Sequence, residues 1–382
     1  MTPITANASI VLAPTLALAL AFAGDSPAQT YVPTPAQIAA DSGTLTDASE
    51  IIVLTEDAAT MAALIAAAEP LGYTPLADAG AEGLGLVVRV LRIRPGLDGP
   101  GAIAELEALT PGVLAGVNHA YQSGSRAAPA NDPRRYADLL LHWPEGGCTP
   151  LRAVGVVDAA PPSDGRTVAH RRFARGGPVE DDHGWLVADL VADPRRLPGA
   201  ELHVADVVET TARGGQAASV DAIVGALSWL QDEGVRVVNI SLAGPYNKIL
   251  DRTFARAAEQ GMLIVAAVGN DGPESPPRFP AAFPGVIAVT AVDADAAPYS
   301  RAVQGAHIDV AAPGVDIFVG ERFVSGSSFA APFVTAALAA MEGEVADVDA
   351  ARQAVAARVR DLGDPGHDPL FGAGLLDLTG GC

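Results

Sequence analysis

Lysine is almost missing from this chain. Of 382 residues only Lys248 is a lysine, and the rest of the basic side is arginine. A Ser–Lys dyad would have to use that one residue, and no Ser-x-x-Lys frames it. Positive charge is scarce altogether, 24 Lys and Arg against 45 Asp and Glu, which leaves a formal net charge of -21. Such a field repels nucleic acid and anionic membrane surfaces, so neither is expected as a partner. Cysteine is limited to Cys148 and Cys382, with no Cys-x-x-Cys and no nearby histidine cluster to hold a metal. The seven histidines include no His-Glu-x-x-His pair, which removes that route to zinc hydrolysis. The Ala- and Leu-rich run at 10–23 is too short to span a bilayer. It ends in Ala21-Phe22-Ala23 and reads as a secretory signal peptide over residues 1–23, although no Lys or Arg precedes Arg89 to give a positive n-region. A secreted or periplasmic chain without stable membrane insertion is expected. Export would allow Cys148 and Cys382 to pair; two free thiols are the alternative.

What is present suffices for a core. Hydrophobic residues make up 49% of the chain, which excludes wholesale disorder, and the length accommodates one large domain and one smaller. Residues 24–47, rich in Pro, Ala, Thr and Ser without apolar periodicity, read as a linker. Residues 48–121 predict a compact α+β unit. Its elements are a strand at 50–54, a helix at 58–68 with a Met61/Leu64/Ile65 face, strands near 73–76 and 86–91, a helix at 101–109 and a strand at 111–117. That βαββαβ order is the split-βαβ, ferredoxin-like pattern. Residues 122–150 form a linker and arm. From 151 to 382, short apolar strands at 152–157, 201–207, 236–241, 263–268, 286–292 and 307–311 alternate with helices at 183–192, 220–232, 249–260 and 328–341. The pattern predicts an α/β, doubly wound, mostly parallel sheet covered on both faces, with function gathered beyond the carboxyl ends of its strands.

Four residues stand where such a sheet places chemistry. Ser325-Gly-Ser-Ser-Phe-Ala-Ala-Pro-Phe-Val-Thr335 puts hydroxyls at the start of an apolar helix, beside free N–H groups and the positive end of the backbone dipole. Pro332 belongs in a first turn. Val154-Gly-Val-Val-Asp158 is a buried strand that stops on a carboxylate, and Asp181-Asp-His183-Gly sets a histidine at a helix head. Val265-Ala-Ala-Val-Gly-Asn270 is a strand ending in an amide. Each has an ordinary reading: a helix cap, a turn aspartate, a surface histidine, an asparagine in a left-handed turn. Together Asp158, His183, Asn270 and Ser328 supply an orienter, a base, an oxyanion donor and a nucleophile.

These residues carry a resemblance to the subtilisin-like serine peptidases. Gly326-Ser-Ser-Phe-Ala-Ala-Pro332 is similar to the family's Gly-Thr-Ser-Met-Ala-Ala-Pro, which implies Ser328 and not Ser327 as nucleophile. His183-Gly184 with Val187-Ala188 resembles the His-Gly-Thr-x-Val-Ala block, Asp158 matches the Asp of Asp-Thr/Ser-Gly, and Asn270 the oxyanion asparagine. Val238-Asn-Ile-Ser-Leu-Ala-Gly244 resembles the cleft segment, implying Ser241, Leu242, Ala243 and Gly244 as substrate-binding, and Ala312-Pro-Gly314 is another landmark. The resemblance implies a serine endopeptidase acting through an acyl-enzyme on protein or peptide substrates. It further implies that the N-terminal unit is a propeptide serving as intramolecular inhibitor and chaperone, with self-cleavage near Tyr121-Gln122. No cofactor is required for that chemistry; structural calcium would be in keeping with the family, and no ligands are assigned. Departures lie at Ala159-Ala160 after Asp158, at Trp185 where the family has Thr, and at Ala243 in place of Gly. They motivate the alternative of a catalytically inactive subtilisin-like binding or scaffold protein. An α/β-hydrolase esterase is excluded by chain order and by Ala330 where its second Gly should stand. His170, in Ala-His-Arg-Arg, reads as a loop residue.

Overall fold

The first strand serves two cores at once. In β1 (Glu50–Thr55) every residue is buried, and successive side chains point to opposite faces. Ile51 and Val53 pack with Met61, Leu64 and Leu106 of the N-terminal unit, whereas Ile52 and Leu54 join a cluster that continues through Ile223, Leu227, Leu250 and Phe254 of the larger unit. The structure, a computed structural model, describes residues 45–123, 126–127, 135–159, 166–177, 179, 182–211, 215–341 and 345–382. The signal peptide expected at 1–23 and nearly all of the 24–47 linker lie outside the described residues.

The N-terminal unit runs β1, α1 (Ala58–Ala68), β2 (Thr74–Asp78), β3 (Val87–Arg92), α2 (Gly99–Leu109) and β4 (Leu114–Val117). Its strands pair antiparallel in the order β2-β3-β1-β4. Both helices start on aspartate caps: Asp57 accepts from Thr60 N at 2.8 Å and Asp98 from Gly101 N at 2.9 Å.

The larger unit is built on nine strands: β7 (Val154–Asp158), β8 (Thr167–Arg172), β9 (Leu202–Asp206), β12 (Val237–Ile240), β14 (Leu263–Ala267), β15 (Val286–Val292), β16 (Val310–Pro313), β19 (Val359–Arg360) and β20 (Leu375–Leu376). Their order is β19-β20-β16-β15-β14-β12-β7-β9-β8, parallel except between β19 and β20. From β7 the chain moves to one side and returns to β12 on the other, so strand order reverses between these neighbours. A crevice opens at the carboxyl ends of strands at such a point. Helices α4 (His183–Val191) and α7 (Ser327–Ala340) pack on one face; α5 (Val220–Asp232) and α6 (Lys248–Glu259) pack on the other, where the N-terminal unit also sits. A short α3 (Tyr136–Leu140) precedes the sheet and α8 (Val348–Ala356) follows it.

His170 departs from expectation, because it lies in β8 and not in a loop. This edge strand presents an alternating, largely polar side to solvent and is held by backbone pairing to β9, so no apolar run announces it. Cys148 and Cys382 form a disulfide across 234 residues, with Cα atoms 5.9 Å apart. Closing so long a loop contributes about 5 kcal/mol in the chain-entropy model.

Candidate active site

β7 delivers Asp158 to the crevice with its side chain fully buried, and α4 opens on His183, equally enclosed. His183 Nδ1 stands 3.0 Å from both Asp158 oxygens. A carboxylate on Nδ1 selects the tautomer that carries its proton there and leaves Nε2 as the basic nitrogen. The residue after Asp158 matters through its backbone: Ala159 N donates to Asp158 Oδ1 at 2.8 Å, a bond any residue but proline permits. Gly184 is required for close approach, since a side chain there would overlap the Ala159 carbonyl. The Phe329 ring, 5.4 Å from the imidazole centroid, packs beside it.

Ser328 occupies the second position of α7, buried, with Oγ donating to Ser241 O at 3.3 Å. Pro332 falls in the second turn of this helix, a correction to its expected first-turn place. Proline there has no N–H for the Ser328 carbonyl four residues earlier. Ser241 supplies the missing donor, its Oγ bonding Ser328 O at 2.9 Å while accepting from Asn239 Nδ2 at 2.9 Å. The Ser241 side chain is thus part of the cradle under Ser328, within the segment whose backbone the sequence suggested for substrate. Gly314 O accepts Gly326 N at 2.7 Å, and a side chain on Gly314 would meet Gly326 O and Ala330; this accounts for the Ala-Pro-Gly landmark.

Asn270 follows β14 and is oriented by its carbonyl. Its Oδ1 accepts from Ser327 N at 2.9 Å and from Ser327 Oγ at 3.0 Å, which turns the Nδ2 donor end away from Ser327. Gly269 N donates in turn to Ser327 Oγ at 3.1 Å. Asn239 was not singled out in the sequence, and Ser327 was set aside there as nucleophile with no positioning part foreseen for it.

A groove runs past these groups, and the chain's own backbone lies in it. β5 (Ala120–Ser123) pairs antiparallel with β11 (Gln216–Ser219), itself joined to β10 (Val208–Thr210), and on its other edge with β13 (Leu242–Ala243). The register sets Tyr121 opposite Ala218, Gln122 opposite Ala243 and Ser123 opposite Leu242. β6 (Arg126–Ala127) then pairs with β18 (Arg322–Ser325), with Arg126 opposite Ser325; β17 (Ile317–Val319) completes that three-stranded sheet. Tyr121 is fully buried, its ring against Gly244, where no side chain would fit, and its hydroxyl donating to Pro245 O at 2.8 Å. Leu242, Ala243 and Gly244 therefore contact a peptide strand.

The preceding residues seal the unit to the larger one. Asn118 Oδ1 accepts from Val220 N at 2.8 Å, capping α5, whose own Ser219 makes no side-chain cap bond. Asn118 Nδ2 reaches Glu50 and Asp221. Arg175 Nη1 and Nη2 bond Glu50 at 2.9 and 2.5 Å, with Asp221 3.2 Å from Nε. Asn247 caps α6 with Oδ1 while Nδ2 donates to Val117 O at 2.8 Å and to His119 Nδ1 at 3.1 Å. Burial pushes His119 down to about 4. Lys248 pairs with Glu107, and Arg252 and Arg256 with Glu56. Among the described residues no group of three or more His, Cys, Asp or Glu could hold a metal ion, and no helix is long and apolar enough to cross a membrane.

Comparison with known proteins agrees with this geometry. Residues 174–374, a little over half of the chain, match the model described as the subtilase family. Subtilisin DY of Bacillus licheniformis is 29% identical over 249 residues, covering 59% of this chain and 88% of its own. The minor extracellular protease Epr of Bacillus subtilis (strain 168) is 28% identical over 212 residues, 52% of this chain and 32% of its own. Among solved structures, fervidolysin of Fervidobacterium pennivorans, a keratinolytic enzyme related to subtilisin, superposes with a TM-score of 0.69 at 20% identity. That match covers 88% of this chain and 61% of fervidolysin, and it establishes the fold.

Proposed function

The chain belongs to the subtilase family, a family of serine endopeptidases that need no cofactor for catalysis, and on that premise we propose that Ser328, His183 and Asp158 cleave peptide bonds with Asn270 as oxyanion donor. Ser328 Oγ attacks the scissile carbonyl as His183 Nε2 takes its proton. The Ser328–carbon bond forms, and the oxyanion is met by Asn270 Nδ2 and the Ser328 N–H. His183 returns the proton to the leaving amine, and water repeats the sequence to free the acyl group. Asp158 holds the imidazole and balances its cation. The changes at Ala159, Trp185 and Ala243 remove none of these groups, so nothing favours the inactive alternative.

The observation that carries this reading is the polypeptide paired on both sides of Ser328. Ser123 lies opposite Leu242, next to the Ser241 carbonyl that Ser328 Oγ touches; Arg126 lies opposite Ser325, three residues before Ser328. Backbone pairing along an extended strand is how a groove accepts many sequences. By the same register, self-cleavage falls within the three bonds joining Ser123 to Arg126, and not at Tyr121-Gln122. Residues 48–121 with the strand that follows act as the intramolecular inhibitor. Export is proposed from the apolar run at 10–23 and from the likeness to an extracellular relative.

Labelling with a fluorophosphonate serine probe tests the assignment. One adduct per chain, absent from Ser328→Ala, is expected. In Asn270→Ala, turnover should drop roughly a hundred- to a thousandfold in a protein that still folds, a range whose type case is a relative, subtilisin. Unchanged turnover in Asn270→Ala, or label retained in Ser328→Ala, would remove the proposed roles.

A further inference from the structure

Trp185 stands two residues after the base and takes no part in the chemistry above. It is half-buried on α4, at the position where the resemblance leads one to expect threonine. Its indole packs with Leu186 against Gly320, so closely that a methyl group on Gly320 would overlap Trp185 Cζ3 and Leu186 Cδ2. Gly320 (φ 57°) and Glu321 (φ 64°) form the two-residue turn between β17 and β18, closed by the pair Val319 and Arg322. Two successive left-handed residues are the turn that fits the twist of a hairpin. Gly320 is thus constrained twice, by its backbone and by the indole. A second tie lies beside it: Arg322 Nη2 donates to Asp182 Oδ1 at 2.7 Å, on the residue preceding His183. The hairpin tip therefore rests on the first turn of the helix that carries the base, while the edge of β18 pairs with Arg126–Ala127.

We propose that Trp185 is a positioning residue that seats the β17–β18 hairpin as the leaving-side wall of the groove, so that cleavage depends on substrate backbone C-terminal to the scissile bond. The inference rests on the peptidase reading of the site. A two-stranded hairpin is marginal by itself, and three-residue strands such as β17 need a surface to lie on. An indole is a broad, rigid platform that loses little freedom when packed. Without it the edge of β18 shifts, and misalignment of a bound strand by about 1 Å costs up to about a hundredfold in rate. The effect is one-sided, because residues before the bond pair with β11 and β13, which belong to a different sheet.

The test compares two substrates with one acyl-side sequence. One is an internally quenched peptide continuing three residues beyond the bond; the other ends at the bond in p-nitroanilide. Mature wild type and Trp185→Thr are normalised by fluorophosphonate titration. Trp185→Thr should lose roughly ten- to a hundredfold in kcat/KM on the extended peptide and stay within about threefold on the anilide. Trp185→Phe, which keeps a ring against Gly320, should retain the preference for the extended peptide. Arg322→Ala should fall in the same direction by less, and it carries the comparison if Trp185→Thr does not fold. Equal losses on both substrates would mean that Trp185 acts on the base, and no loss on either would mean that the hairpin stands without it; both overturn the proposal. A wild-type protein that cleaves neither substrate and takes no label would sink the peptidase reading itself. Cleavage of both by wild type leaves that reading intact whatever Trp185 does.

Discussion

The N-terminal unit meets the larger one in two places, and the two contacts are made of different chemistry. Across α5 and α6 the contact is made by particular side chains: Ile52 and Leu54 in the shared core, Asn118 capping α5, Arg175 between Glu50 and Asp221, Glu107 on Lys248. In the groove the contact is strand pairing, to which Tyr121 adds one buried ring. Side-chain contacts recognise one sequence, whereas backbone pairing admits many. On the proposed reading this is the division an inhibitory unit in cis requires. Its affinity is placed on helices that substrates never touch, and the groove keeps no preference so strong that foreign chains are refused.

Breaking the side-chain contact should have the largest effect. In full-length Ser328→Ala, which cannot cut itself, Arg175→Met leaves the Glu50 and Asp221 carboxylates buried without their cation. A loss of about 3–5 kcal/mol is expected, read as a lowered urea midpoint. A shift below about 1 kcal/mol would mean that the polar seal contributes little.

Acid should act on the same contact next most strongly. His119 has its folded pKa lowered from 6.5 to about 4 by burial, so the unfolded chain binds the extra proton between those values. Its contribution is complete above about pH 6.5 and is lost as pH falls through about 4, for a total of about 3 kcal/mol. His307, half-buried in the larger unit and lowered to about 4 by desolvation as well, adds a slope of the same sign. Urea midpoints of Ser328→Ala across pH 4–7 should fall on acidification, and His119→Gln should flatten part of that slope. An identical slope in His119→Gln would remove His119 from the account.

The groove contact gives the smallest effect. Tyr121→Phe deletes the bond to Pro245 O and keeps the ring. About 1 kcal/mol is expected, the net size of one neutral hydrogen bond. A loss as large as that of Arg175→Met would erase the distinction between the two contacts.

The larger sheet was legible in the sequence because strands buried on both faces are short apolar runs; the strand 286–292 falls where the pattern sets it, as does the helix 220–232. The four residues proposed for the chemistry could be picked out because each stands at or just after a strand's end or at a helix start. What escaped was held by backbone or by single atoms. β5, β6 and β18 are short pairings whose partners lie far away in the chain, and no periodicity announces them. The part that the Ser241 side chain plays under Ser328 escaped because a motif shows which residues line a cleft, not which way each side chain turns. Its role follows from Pro332, whose missing N–H leaves the Ser328 carbonyl to be satisfied from another strand.

The central claim is that the chain lying in the groove is the first substrate of Ser328. Intact-mass analysis of the purified protein tests it most directly. The account predicts a matured species beginning at Gly124, Ser125 or Arg126, with Ser328→Ala remaining unprocessed at this segment. A new N-terminus at Gln122, or the same processing in Ser328→Ala, would contradict it.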